Sequence, residues 1–349
     1  MILCPARLEP IFSPRPWGAP SLAPYFPEMS NLAEPIGEAW LTGNDCRFAS
    51  GPFAGRKLGE AWPKMPAEWA GSAVDHASDF PLLVKFIFPG DKLSVQVHPD
   101  DEYAALHEQA AGGRGKTEMW YAVDARPGAE VLVGLKPNVT REDFRRAIAD
   151  GTAENCLEHV PLRAGDAVFV PAGTAHTIGP GLVLCEIQEQ SDLTYRVYDY
   201  NRRDAKGQTR PLYVEKALEV MRFGRQFGGK VEPVPMRRGP NVETHYAICK
   251  YFAATHWTMA ERIEATTSRE HFDLLIFLEG KGQILWGAER ASYGPAQVWL
   301  IPAALGRFEF APEGRTTLLR TYVPGDLNQL KRTLAGQGVS EEQWLRLLH

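Results

Sequence analysis

The chain has 349 residues, 44% of them hydrophobic, which is enough to bury one large or two medium-sized cores, and two domains are expected. Its net charge is −5 and the charges are interspersed, so nucleic acid and anionic membranes are not indicated as partners. The N-terminus lacks the basic start and long apolar core of a signal peptide, and no later apolar run approaches membrane-spanning length.

The cysteines are odd in number and far apart, without the C-x-x-C pair of a zinc knuckle or a redox motif. They are Cys4, Cys46, Cys156, Cys185 and Cys249. This usage is typical of a reducing compartment, so we expect a cytosolic protein.

Residues 1 to 80 are rich in Pro and Gly, which predicts short strands joined by long ordered loops. The segment 37–42 (GEAWLT) is a strand candidate. Strands that carry chemically useful side chains are expected from residue 81 to residue 136.

Gln96 and His98 lie two positions apart in a run rich in β-branched residues, so on a strand both leave the same face. Pro99 ends that strand, since it has no N–H to donate. Glu118 lies in a second strand-like run. His176 ends the spacing G-x5-P-x-G-x-x-H that begins at Gly165, in which Gly173 can adopt a positive φ.

Two imidazoles, one carboxylate and one amide oxygen suit a divalent ion such as zinc, with a coordination position left open to water or substrate. Taken singly, a His beside a strand is more often a partly buried hydrogen-bonding side chain, and Glu118 could be a solvated strand residue. Taken together, they favour a catalytic metal site inside a small β-barrel.

Two helices are predicted between residues 140 and 222. The first covers 140–148, where Thr140 can cap the helix with Asp143 three residues on. The second covers 211–222, because Pro211 suits a first turn and an apolar stripe follows. The Gly- and Pro-rich stretch 228–240 then predicts a linker.

The second half weakly repeats the first. A strand and turn at 272–282 and a strand at 298–303 resemble the earlier segments, but Ala304 and Arg307 stand where the first half has Gly173 and His176. A second barrel that binds no metal and packs against the first is therefore expected.

Ser340 and Gln343 predict a capping box for a C-terminal helix. The tail after Pro324 could support packing or self-association.

Long motifs in one order resemble the type I mannose-6-phosphate isomerases, also called phosphomannose isomerases, of the short bacterial form, within the cupin superfamily. The motifs are the segments 16–18 (PWG), 37–40 (GEAW), 93–101 (LSVQVHPDD), 115–121 (GKTEMWY), 170–176 (VPAGTAH) and 194–202 (TYRVYDYNR). Larger members insert a helical domain before the second His, a place that only the helix at 141–148 occupies here.

The resemblance implies a mainly β fold of two cupin-type β-barrels with a few short helices. It implies one zinc ion bound by Gln96, His98, Glu118 and His176, and Arg196 as the active-site arginine. The predicted domains are 1–235, metal-bearing and catalytic with a short helical segment near 140–150, and 241–349, metal-free with the C-terminal helix.

The implied reaction is the interconversion of mannose 6-phosphate and fructose 6-phosphate through an enediol, with a small sugar phosphate as the substrate and the oligomeric state left open. Arg196 cannot lose its proton, so it suits an enediolate oxygen or a phosphate. Lys116 lies on the same strand face as Glu118, where a nearby cation and desolvation would lower its pKa enough for a base. A phosphate or carboxylate partner is the alternative role of Lys116, and a metal-bound water is the other candidate base.

Two other classes of function use similar residues. Non-haem iron oxygenases also use two His and one carboxylate on a barrel, but Gln96 as a fourth ligand and the charges of Lys116 and Arg196 favour an anionic sugar. A non-catalytic sugar-phosphate sensor would have lost a ligand or Arg196, and both are present.

Overall fold

The computed structural model describes residues 2–75, 79–203, 207–224 and 228–349. Strands dominate the described residues, and the few helices are short. In chain order the strands are β1 (Ala6–Glu9), β2 (Ile11–Ala19), β3 (Ile36–Trp40), β4 (Arg47–Phe48), β5 (Leu82–Ile87), β6 (Val95–Val97), β7 (Glu118–Ala125), β8 (Glu130–Leu135), β9 (Leu157–Pro161), β10 (Ala167–Val170), β11 (His176–Ile178), β12 (Leu182–Glu189), β13 (Tyr195–Tyr198), β14 (Gly229–Lys230), β15 (Val234–Arg238), β16 (Asn241–Ile248), β17 (Ala253–Met259), β18 (Ile263–Thr266), β19 (Asp273–Glu279), β20 (Gly282–Trp286), β21 (Glu289–Tyr293), β22 (Val298–Ile301), β23 (Arg307–Pro312) and β24 (Thr316–Tyr322). The α-helices are α1 (Leu58–Ala61), α2 (Ala67–Ala70), α3 (Asp101–His107), α4 (Arg141–Ala149), α5 (Val214–Val220), α6 (Leu327–Gly336) and α7 (Glu341–Leu347).

The first barrel consists of two antiparallel sheets packed face to face. A seven-stranded sheet has the order β14-β10-β7-β12-β5-β3-β2, and a five-stranded sheet has the order β13-β6-β11-β8-β9. Apolar side chains that alternate along both sheets meet between them, among them Trp120, Val131, Val168 and Leu184. This packing matches the way a sandwich buries one face of each sheet.

The second barrel repeats this arrangement. An eight-stranded sheet has the order β15-β16-β17-β24-β19-β22-β1-β4, and a four-stranded sheet has the order β18-β23-β20-β21. Its core includes Trp257, Phe277, Phe310 and Leu318. The predicted fold class, mainly β with two cupin-type barrels, is confirmed.

The backbone contacts divide the chain into two compact units. One unit comprises residues 1–11, 40–84 and 231–349, and the other comprises residues 12–39 and 85–230. The predicted domains at 1–235 and 241–349 remain a prediction, and the compact units differ from them in grouping two N-terminal segments with the C-terminal part. One physical reason is that β1 pairs with β22, with Leu8 opposite Val298.

The helix predictions hold with one shift. The helix α4 begins after Thr140, whose side chain forms the expected capping box with Asp143. Ser340 and Gln343 cap α7 in the same way. The helix predicted at 211–222 begins at Val214 and ends at Val220, because the Tyr213 N–H donates to the Arg196 carbonyl at 2.7 Å and so holds the preceding residues outside the helix.

The predicted linker at 228–240 is wrong. Within it β14 pairs with β10, and β15 pairs with β16 along five residue pairs from Val234 to Arg238. Both are terminal strands of their sheets, where Gly and Pro are tolerated because one side of the strand makes no ladder bonds. The predicted strand at 37–42 is observed as β3, from Ile36 to Trp40.

The tail after Pro324 forms α6 and α7, and both pack onto the second barrel's own sheet. Leu334, Trp344 and Leu347 are buried in one cluster with Ile248 and Tyr322. In the described part of the chain, no helix is both long and apolar enough to cross a membrane.

Candidate active site

Strand pairing in the first barrel places the four candidate ligands at one end of the two sheets. Gln96 in β6 pairs directly with His176 in β11. Glu118 is the first residue of β7, and His98 follows the end of β6. Gly173 has a φ of 86° as expected, and its N–H donates to the His98 carbonyl at 2.8 Å, which joins the turn to the His98 segment.

Three of the four side chains form a compact buried group. Ligand atoms of His98, Glu118 and His176 lie within 4.8 Å of one another, and no other group of His, Cys, Asp and Glu in the described residues reaches that proximity. Glu118 Oε1 lies 3.4 Å from His176 Nε2 and 3.8 Å from His98 Nε2. Each of the three residues is at most 1% exposed.

Backbone carbonyls orient both imidazoles. His98 Nδ1 lies 2.8 Å from the Leu193 carbonyl, and His176 Nδ1 lies 2.9 Å from the Thr174 carbonyl. A carbonyl can only accept, so each Nδ1 carries the hydrogen and each Nε2 presents a lone pair. Burial lowers the pKa of His98 well below its ordinary value and that of His176 to about 4, so both rings are neutral at neutral pH. Neutral rings held in this way are prepared to bind a metal.

The Glu118 carboxylate is the strongest sign that a cation belongs here. It is fully buried, and neither oxygen has a hydrogen bond of good geometry. The Lys116 ammonium lies 2.7 Å from Oε2, which balances the charge but leaves Oε1 directed at the two imidazoles. Two imidazole nitrogens and one carboxylate oxygen therefore fit a divalent metal with an open coordination position.

Gln96 lies beside this group and is only half-buried. Its amide nitrogen, as placed, is 3.3 Å from His176 Nε2, and its oxygen accepts a 3.3 Å hydrogen bond from Ser94. Because amide oxygen and nitrogen are exchanged by a simple rotation, Gln96 can direct its oxygen toward the same centre.

Lys116 is 4% exposed and has acidic neighbours. Burial acts to lower its pKa, but the carboxylates of Glu118 and then Glu186 outweigh burial and raise the pKa above its ordinary value. The lowered pKa expected from the sequence is therefore not what these protein groups produce. The difference arises because the Glu118 carboxylate is in direct contact with the Lys116 ammonium. The lower pKa was expected from a cation near Lys116 instead.

Arg196 lies on β13, the neighbour of the strand β6 that carries Gln96. It is opposite Gln96 in β13 and β6, its Nε donates to Ser94 at 3.2 Å, and its Nη1 donates to the Pro211 carbonyl at 3.2 Å. Ser94 in turn donates to Gln96, so a hydrogen-bonded chain runs from the guanidinium to the amide. Burial and the nearby Arg210 lower the Arg196 pKa, yet a guanidinium remains charged at any physiological pH.

Several charged residues in the site were not predicted, among them the buried Lys85 and Glu186. Lys85 is 2% exposed, and its Nζ lies 3.4 Å from Glu186 and 3.6 Å from Asp192. For Lys85 the signal was present in the sequence, because this residue interrupts an otherwise apolar strand. A charge in a buried strand requires a partner, and it often marks a functional site.

A cavity of about 410 Å³ lies beside the group of His98, Glu118 and His176, because Gln96 and Lys116, which contact that group, line it. Gln96, Lys116 and Arg196 all line it, together with Lys85 and Glu186. Its lining contains five cationic side chains (Arg15, Lys85, Lys116, Arg196 and Arg210) and three carboxylates (Glu38, Glu186 and Asp192). Such a cavity attracts a small anionic molecule.

In a scan against models of known protein families, no model matches the chain. The chain is 35% identical over 309 residues to a probable mannose-6-phosphate isomerase of Bacillus subtilis, GmuF, covering 87% of this chain and 95% of that protein. It is 32% identical to the mannose-6-phosphate isomerase ManA of the same organism, with the same coverage. Its fold is similar to a crystal structure of the mannose 6-phosphate isomerase from Bacillus subtilis, with a TM-score of 0.83, 29% identity, and coverage of 91% of this chain and 99% of that one.

Proposed function

The chain belongs to the mannose-6-phosphate isomerase family, and we propose that it interconverts mannose 6-phosphate and fructose 6-phosphate. One observation carries the proposal beyond family membership. The buried group of His98, Glu118 and His176 lies beside a cavity whose charged lining is mainly cationic. A metal group beside an anion-attracting cavity suits a sugar phosphate and supports an enzyme rather than a structural metal site.

The proposed cofactor is one zinc ion held by His98, Glu118 and His176, with Gln96 as the fourth ligand. The donor set is two neutral imidazoles, a carboxylate and an amide oxygen, which suits zinc. When bound, such an ion polarises a carbonyl and stabilises negative charge on its oxygen.

The reaction moves one proton from C2 to C1 and one from O2 to O1 of the open-chain sugar. A base removes the proton from C2 of the aldose while O1 gains a proton, which gives the enediol. A proton is then delivered to C1 while O2 loses its proton, which gives the ketose. Arg196 is half-buried, permanently charged and directed into the cavity, so it is proposed to pair with the enediolate oxygen as charge develops.

Lys116 is proposed as the base. It is buried, it lines the cavity, and the largest influence that raises its pKa is the charge of Glu118. With a cation held by Glu118 that charge would be offset, and burial would then favour the neutral amine of Lys116. In the alternative role Lys116 stays protonated and pairs with the substrate's phosphate. The two roles differ in their response to replacement by arginine.

The proposal is tested by following mannose 6-phosphate in D2O with purified, zinc-loaded protein by proton NMR. The expected product is fructose 6-phosphate with solvent deuterium at C1. The base holds the proton taken from C2 while the enediol exists, and that proton exchanges with the solvent before delivery to C1. Absence of the ketose at any protein concentration refutes the proposal. Oxygen consumption with an iron-loaded sample would favour an oxygenase instead.

A cytosolic location is proposed on the basis of the cysteines. None of the five forms a disulfide bond, and Cys46, Cys185 and Cys249 are buried. Cysteines without disulfide bonds throughout a chain of this size are typical of a reducing compartment.

A further inference from the structure

The second barrel has a cavity at the position that corresponds to the active site of the first. In the first barrel Glu118 begins β7 and pairs with Val170 of β10. In the second barrel Asp273 begins β19 and pairs with Ile301 of β22. A proline follows each of these partner residues. Asp273 is therefore the counterpart of the candidate ligand Glu118.

The candidate ligands His176 and Gln96 are replaced in this barrel. Arg307 pairs with Thr266 as His176 pairs with Gln96, so an arginine and a threonine occupy these two ligand positions. The Arg307 side chain is 76% exposed and forms an ion pair with Glu264. The site has kept a carboxylate at the position of Glu118, but among the described residues no three ligand side chains come together here.

The cavity nevertheless persists, with a volume of about 410 Å³ within the range of small-molecule sites. Trp257, Phe308 and Phe310 form an apolar part of its wall, and the exposed Thr333 of α6 lies at its edge. Aromatic walls combined with a few directed polar groups are typical of ligand sites rather than of packing voids.

Two buried polar atoms in the wall lack hydrogen-bond partners. His245 is 5% exposed and Trp257 is 6% exposed, and His245 Nε2 and Trp257 Nε1 each make no hydrogen bond. The nearest carboxylate oxygen to His245 Nε2 is that of Glu243, 3.9 Å away and beyond hydrogen-bond length. Leaving a buried polar atom unpaired is unfavourable, so these atoms favour a hydrogen-bonding molecule in the cavity.

The charges of the wall decide the class of that molecule. Both cations are already paired, Arg320 with Asp273 at 2.9 Å and Arg238 with Glu243 at 3.0 Å. The lining carries five carboxylates in all, those of Glu243, Glu264, Glu270, Asp273 and Asp326. A phosphate dianion would be repelled, in contrast to the cavity of the first barrel. Burial also lowers the pKa of His245, so its ring is neutral and adds no compensating charge.

We infer that the second barrel holds a binding site for a neutral monosaccharide, separate from the catalytic site. Each sugar hydroxyl can donate and accept at once, so one molecule can serve the carboxylates, the guanidinium of Arg320, the indole N–H and the imidazole. The apolar face of a pyranose ring packs on the aromatic wall. The cavity is lined by residues between 238 and 337, and the inference stands or falls independently of the proposed isomerase activity.

The test is calorimetric titration of the full-length, zinc-loaded protein with free mannose, free glucose and free fructose, and with inorganic phosphate as the anionic probe. Saturable binding of at least one neutral sugar is expected. The same titration is repeated with mannose 6-phosphate and fructose 6-phosphate present at equilibrium, and binding of the neutral sugar is expected to persist.

Thr333→Trp is expected to weaken that binding at least about tenfold, because it places a large ring at the cavity edge on an exposed helix position that tolerates it. Arg332→Trp adds the same bulk one position away, outside the lining, and is expected to leave binding unchanged. Equal loss in both variants, displacement by the sugar phosphates, preferential binding of inorganic phosphate, or no saturable binding of the three sugars through the millimolar range each overturns the inference.

Discussion

Replacing Arg196 by alanine separates transition-state stabilisation from metal binding. The side chain makes two hydrogen bonds, to Ser94 and to the Pro211 carbonyl, and it contacts the metal group only through Ser94 and Gln96. At about 1 kcal/mol for each bond, the loss of folding stability should be roughly 2 kcal/mol or less. A preorganised donor to a developing oxyanion is worth about a hundred- to a thousandfold in turnover. Arg196→Ala should therefore lose turnover by that order while retaining its metal.

The assay couples fructose 6-phosphate formation to a dehydrogenase and determines kcat and KM on metal-replete protein. Arg196→Lys keeps the charge but loses the planar fork, so its activity should fall between wild type and Arg196→Ala. Arg202→Ala is the matched control, because Arg202 pairs with Asp199 and does not line the cavity. Near-normal kcat with a raised KM would mean that Arg196 only holds the ground-state phosphate. Normal values of both would remove Arg196 from the site.

Three further perturbations test other parts of the account. Lys116→Arg should lower kcat by about a hundred- to ten-thousandfold if Lys116 is the base, since arginine cannot lose its proton; turnover within tenfold of wild type would identify an ion-pairing role. Gly173→Ala should lower both the melting temperature and the activity, because the new Cβ would lie 2.8 Å from the Val220 carbonyl at a φ of +86°. The control Gly165→Ala has a similar φ but open space around its Cβ, so it should cost only about 1–2 kcal/mol of backbone strain. Equal effects of the two substitutions would contradict this prediction. Burial, with Arg315 nearby, lowers the pKa of His256 from 6.5 to about 4, so below pH 6.5 the unfolded chain binds a proton that the folded chain does not. The free energy of unfolding should therefore fall by up to about 3 kcal/mol between pH 6.5 and pH 4. In urea unfolding, His256→Gln should flatten that part of the pH profile, and an unchanged slope would refute this prediction.

Local patterns predicted the parts of the fold whose geometry is set within a few residues. The capping boxes at Thr140 and Ser340 formed as expected, because each depends on two side chains three positions apart. Gly173 has the expected positive φ for the same reason. The alternation that places Gln96 and His98 on one face follows from the strand period.

Features that depend on distant pairing were predicted poorly. The segment 228–240 was interpreted as a linker because its composition suits loops, yet β14 and β15 form on the partner strands β10 and β16. The helix predicted from Pro211 begins at Val214, because the Arg196 carbonyl, 17 residues earlier than Tyr213, accepts the Tyr213 N–H. Lys85 and Glu186 were not singled out as site residues, because only the tertiary structure shows that they face each other.

In the site, the ligand residues could be predicted from the sequence, whereas the protonation state of Lys116 could not. Residue type and spacing nominated His98, Glu118 and His176, and the strand register brings their ligand atoms together. The state of Lys116 could not be predicted, because its pKa depends on the distance to Glu118 and Glu186 rather than on their positions along the chain.

The most direct test of the account measures metal content and isomerase turnover on the same samples of wild type, His98→Ala and His176→Ala, each checked for folding by its melting curve. Wild type should carry about one divalent metal per chain, most often zinc, and convert mannose 6-phosphate. Each variant should lose metal and turnover together, because either imidazole is one of only three strong ligands in the group. Full metal occupancy with normal turnover in both variants would contradict the assignment of this site as the catalytic centre.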